Sequence, residues 1–160
     1  MGCAEPVMRK ARPAIVAILC GVPLAFAAAG SLDAPVEHKI TNRSEIARGS
    51  NASMQCFLDR LEEGWVGYES CIDDVEAAEV RQNTVTDPFR LGLYLTSSIQ
   101  LKIMGDRDPS PRVAASVAKS LEFYRTESAK IENSLKISPA DACQATEMKV
   151  EACLSANSAP

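Results

Sequence analysis

From residue 51 onward the apolar positions fall into helical steps. Met54, Leu58, Leu61, Trp65, Tyr68, Ile72 and Val75 follow one another at alternating intervals of four and three, the spacing that lines side chains along one face of an α-helix. Asn51 stands at the head of this run, where its side chain can cap free amides. Gly64 and Gly67 lower helix propensity in the middle, yet the apolar phase passes through them, so the pattern predicts one long helix rather than two short ones.

A second run opens at Asp87-Pro88, an acid followed by a proline suited to the first helical turn. Behind it the pattern is ambiguous. Phe89, Leu91, Leu93 and Leu95 alternate as in a strand, and Ile99, Leu101 and Ile103 alternate again. The start signal, the stop offered by Gly105 and the helical flanks favour a helix over 89–104, apolar on most sides and therefore central. After the turn Gly105 to Pro109, a third helix is marked by Ala114, Val117, Leu121, Tyr124, Ser128, Ile131 and Leu135. Ser138-Pro139-Ala140-Asp141 then supplies a cap, a first-turn proline and an acid three residues on, opening a fourth. Residues 30–50 are polar and lack a sustained period, which reads as a linker, and 155–160 read as a disordered tail. The expected fold is all-α: an up-down-up-down bundle of about four helices over 51–154, its first and last helices antiparallel neighbours.

The first 29 residues stand apart. Arg9, Lys10 and Arg12 precede an uncharged, apolar stretch from Pro13 to Gly30, and Ala25-Phe26-Ala27 and Ala27-Ala28-Ala29 give the small-x-small pattern of a peptidase site. This is the layout of a signal peptide cleaved after Ala27 or Ala29, with Pro23 and the alanine-rich end arguing against a retained anchor. Leu19, rather than a small residue, precedes Cys20, which argues against lipid attachment there. The expected location is the periplasm or the extracellular space, with membrane contact only through the uncleaved leader.

Loss of three basic residues and Glu5 with the leader takes the formal charge from −4 to −6. An acidic domain with few aromatic residues offers no basic surface for a phosphate backbone, so nucleic acid is excluded as a partner. Cys56, Cys71, Cys143 and Cys153 remain in the mature part, an even count that suggests disulfides in an exported domain. On straight helices Cys56 and Cys71 would lie roughly 22 Å apart and Cys143 and Cys153 roughly 15 Å apart, too far for bonds within each helix. The expectation is therefore a nested pairing, Cys56 with Cys153 and Cys71 with Cys143. Zinc is disfavoured because no close C-x-x-C pair is present.

Candidate chemistry is sparse. His38 is the only histidine and falls in the polar lead-in, which disfavours histidine-dependent hydrolysis and haem ligation; no metal or cofactor is expected. Glu69 and Asp73 lie one helical turn apart near Asp59, Glu62 and Glu76 and form the one carboxylate pair suited to acid–base work, although a solvated helix face explains them more simply. Asp106 and Asp108 supply too few oxygens for calcium, and Asp108 suits a helix cap. Trp65 and Tyr68 beside Gly64 and Gly67 could line a ligand groove, against the plainer reading of core packing. Asn42-Arg43-Ser44 and Asn51-Ala52-Ser53 fit the glycan acceptor pattern. The functional expectation is an exported, non-enzymatic helical protein that binds a protein or a small ligand, with an acidic-residue hydrolase and a structural envelope component as alternatives.

Overall fold

The computed structural model describes residues 34–158. They form α1 (Ala34–Asp59), a single 3-10 turn (Leu61–Glu63), α2 (Gly64–Gln82), α3 (Asp87–Arg107), α4 (Pro111–Leu135), α5 (Pro139–Ala145) and α6 (Val150–Asn157). The fold is all-helical, with six α-helices among the described residues in place of the four expected. The leader, with Cys3 and Cys20, lies outside the described residues.

α3 is the central helix, and its strand-like alternation is the mark of that position. Every residue from Leu91 to Leu101 is buried. Phe89, Leu93, Tyr94, Leu101 and Met104 face a core made with Cys56, Tyr68, Ile72, Val117 and Tyr124. Leu91, Leu95 and Ile99 face a second core with Ile46, Ala142, Ala145 and the Cys143–Cys153 bond. A helix buried on two sides loses the one-sided stripe that identifies an amphipathic helix. Each large apolar side chain so enclosed contributes roughly 1.5–3 kcal/mol. Its start is set by Thr86, whose hydroxyl accepts from Phe89 N at 3.2 Å, so Thr86 rather than Asp87 is the cap.

α1 and α3 meet through small residues. A Cβ placed on Gly49 would overlap the Phe89 carbonyl and come within 2.8 Å of Leu93 N, and one on Gly92 would overlap the Ile46 carbonyl. The two backbones therefore touch at reciprocal glycines, each followed four residues on by a buried hydroxyl residue, Ser53 and Thr96. The buried hydroxyls are satisfied in two directional chains. Ser97 Oγ donates to Leu93 O at 2.7 Å and accepts from Tyr68 Oη at 2.9 Å. Tyr68 thereby spends its proton, so Ser53, 2.7 Å from Tyr68 Oη, is the donor in that contact. Likewise Ser50 donates to Thr146 O at 2.8 Å and receives the Thr96 hydroxyl at 2.8 Å.

Five expectations are corrected. Residues 34–50 are helix, not linker: the face they bury includes Gly49 and Ser50 beside the single large apolar residue Ile46, which sets up no apolar period. The long helix from residue 51 is broken between Arg60 and Gly64, and the fourth helix is divided at Thr146–Lys149, where Glu147 takes the left-handed φ of 62°. Residues 155–157 belong to α6 rather than a disordered tail. These breaks decide the cysteines. The nested pairing is replaced by two local bonds, Cys56–Cys71 and Cys143–Cys153, with Cα separations of 5.6 and 5.7 Å. Each chain reversal brings together residues that a straight helix would hold apart.

Gly→Ala within a helix ordinarily stabilises by roughly 0.5–1 kcal/mol. At Gly49 and Gly92 the sign inverts, because the obstructing atoms are backbone and cannot rotate away. Gly49→Ala and Gly92→Ala are each expected to lower unfolding free energy by about 1–3 kcal/mol or more. Urea titration followed by circular dichroism checks this.

Candidate functional site

The α1–α2 reversal gathers the residues that stand out chemically. α1 closes with Arg60 N donating to Cys56 O at 3.0 Å, and the 3-10 turn follows with Glu63 N donating to Arg60 O at 3.0 Å. Gly64 then adopts φ 69°, ψ −159°, a region open essentially to glycine alone. A Cβ there would meet nothing within 4 Å, so the glycine is needed for conformation and not for space. With the direction changed, α2 runs back and Cys71 reaches Cys56. Phe57 meets Tyr68 edge to face, ring centroids 6.4 Å apart, which packs the inside of the turn.

The outside of the turn is apolar and uncovered. Leu58 is 60 % exposed, Leu61 42 % and Val66 58 %, and Trp65 is only partly covered by the core. Asp59, Glu62 and Glu63 stand exposed among them, with Arg60 paired to Glu63 at 2.7 Å. The turn that the disulfide holds closed thus carries exposed Leu58, Leu61 and Val66 together with exposed Asp59, Glu62 and Glu63.

The groove suggested by Gly64, Trp65, Gly67 and Tyr68 divides between core and surface. Tyr68 is fully buried, and burial pushes its hydroxyl up to about 12, partly offset by its hydrogen bonds with Ser53 and Ser97. The Gly67 Cα faces the Glu63 side chain, leaving no room for a Cβ. Trp65 lies at the boundary, and Gly64 supplies the bend.

The carboxylate pair is also split by environment. Glu69 is half-buried against α4, and desolvation raises its pKa, with Ser120 opposing as a hydrogen-bond partner and the Asp73 charge adding to the rise. Asp73 itself is exposed. Glu76, one turn further, is the more engaged acid: it accepts from Arg90 Nε at 2.7 Å and from Tyr94 Oη at 2.8 Å, tying α2 to α3. Tyr94 in turn packs on Tyr124 and Phe123, centroids 5.3 and 6.0 Å away. Three residues further along α2, Glu79 meets Arg48 at 2.7 Å, and Arg48 also reaches Glu45 at 2.9 Å while lying 4.1 Å over the Phe89 ring. Sequence patterning gave no sign of the Arg90–Glu76 and Arg48–Glu79 clasps, because their partners lie on different helices.

Glu69 gives a pH prediction with a definite sign. A carboxyl whose folded pKa is raised stabilises the fold when protonated, and that contribution is lost as pH rises above the ordinary 4.5 through the raised value. Glu69→Gln removes the loss while keeping a partner for Ser120. The variant is expected to melt above the parent near neutral pH, with the gap closing as the pH falls below 4.5, in thermal scans across that range. Comparison with protein-family models, curated proteins and solved structures finds no match to this chain.

Proposed function

We propose that this chain is an exported, non-enzymatic binding protein that presents the α1–α2 tip to an apolar surface on a partner protein, fringed by Lys and Arg. The observation that carries the reading is the exposure of Leu58, Leu61 and Val66 on a turn held shut by Cys56–Cys71. Large apolar side chains grouped on a rigid surface mark interaction sites more often than solvated faces, and the acids among them favour a basic rim opposite. Pinning also lowers the ordering entropy that binding must overcome.

Export rests on the three-part leader and on the two disulfides, which persist in oxidising compartments. None of the described helices is long and apolar enough to cross a membrane. A non-enzymatic role is favoured over the acidic hydrolase by the environment of the one nominated pair: Glu69 is engaged by Ser120 and Asp73 lies in water.

A photoreactive amino acid at position 58 or 66, introduced in the source organism, is expected to give one discrete cross-linked partner under illumination. The same residue in place of Glu122, on the exposed side of α4, is expected to give none. An adduct with a second copy of the chain would favour the structural envelope component, and indistinguishable patterns at all three positions would contradict the binding tip.

A further inference from the structure

α4 carries one polar residue in its apolar stripe. Ser128 is 2 % exposed, and its Oγ has no hydrogen-bond partner among the described residues. It lines a pocket of about 140 Å³ between α4 and the α5–α6 hairpin, together with Arg125 and Glu132 from α4, Cys143 from α5 and Asn157 from α6. Arg125, Ser128 and Glu132 are three and four residues apart and share one helical face.

The unpaired side-chain oxygens at this pocket come from Ser128, Asn157 and Glu132. Asn157 Nδ2 donates to Leu95 O at 3.2 Å and to Cys153 O at 2.9 Å, which fixes the amide orientation. Its buried Oδ1 is left without a partner. Glu132 has no ion pair or side-chain hydrogen bond among the described residues, and burial alone raises its pKa. It stands in the last turn of α4, where the helix end also carries partial negative charge. The cation in the lining, Arg125, has its Nε committed to Ala156 O at 2.7 Å. Along the helix it lies roughly 10 Å from Glu132.

A half-buried carboxylate, a buried amide oxygen and a buried rotatable hydroxyl make a set that calls for N–H donors and positive charge. We infer that this pocket binds a small primary ammonium compound, its three N–H groups shared among Glu132, Asn157 Oδ1 and Ser128 Oγ. The size fits: a cavity of about 150 Å³ accommodates a molecule as large as benzene. The Cys143–Cys153 bond holds the α5–α6 wall in place, so the site belongs to the oxidised protein. This site is separate from the α1–α2 tip, and neither reading depends on the other.

The test is a titration of the oxidised full chain with ethylammonium chloride, followed by ¹⁵N–¹H chemical shifts. Tetramethylammonium chloride and sodium acetate serve as counter-probes. Saturable shifts at Ser128, Glu132 and Asn157 are expected with ethylammonium, and not with tetramethylammonium, which has no N–H, or with acetate. Glu132→Gln, which preserves shape, is expected to weaken binding by about tenfold or more, and Ser128→Ala by about threefold to tenfold. Both variants should retain the parent spectrum away from the pocket. Absence of saturable shifts, equal binding of tetramethylammonium, binding of acetate in place of ethylammonium, or unchanged affinity in a folded Glu132→Gln protein would each overturn the assignment.

Discussion

The backbone contact between α1 and α3 at Gly49 and Gly92 is the constraint from which the rest of the structure follows. Helices that approach this closely leave no room for large side chains at the crossing, so α1 places glycine and serine there, and the hydroxyls taken out of water at the crossing need partners. The partners are supplied by the neighbouring elements. Tyr68 brings α2 into the Ser53–Ser97 chain, and the Thr146 carbonyl brings the α5–α6 hairpin to Ser50. The polar atoms at the crossing thus dock the flanking helices onto α3, while Phe89, Leu93 and Leu101 on one side and Leu91 and Leu95 on the other fill the two cores.

Both disulfides serve reversals that this packing demands. α2 must turn back at Gly64 to place Tyr68 against Ser97, and α6 must turn back at Glu147 to cover Leu95 and Ile99. Closing a loop of fifteen residues, as Cys56–Cys71 does, removes about 3 kcal/mol of chain entropy from the unfolded state in the loop-entropy model. The apolar tip and the acceptor-lined pocket each sit beside one of these stapled turns. Rigidity is concentrated where surface groups remain uncovered.

What was legible in the sequence follows the same physics. α4 shows its apolar stripe because it buries one face, and Ser138-Pro139 announces α5 because its capping is local, with Ser138 accepting from Asp141 N at 3.1 Å. α3 was legible as central because it is apolar on most sides, although the same alternation also fitted two strands. The part of α1 up to residue 50 was hidden, since a face of Gly49 and Ser50 reads as polar linker although it packs backbone to backbone against α3. The stripe through Leu58 and Leu61 misled in the opposite way. Those residues keep helical phase yet stand exposed, while Ser53 and Cys56 are buried, so the phase does not follow burial and the break at Gly64 is invisible to it. The candidate pocket had one visible trace, Ser128 standing where the stripe of α4 calls for an apolar residue. Its partners across the pocket, on α5 and α6, could not be read from spacing.

Native-state hydrogen exchange tests the primacy of the α1–α3 contact most directly, because it reports the opening free energy of each segment separately. The slowest amides are expected at residues 46–53 of α1 and 91–101 of α3, sharing one opening energy equal to that of global unfolding. A slowest set confined to α4 or α2, with α1 exchanging through a cheaper local opening, would contradict the account.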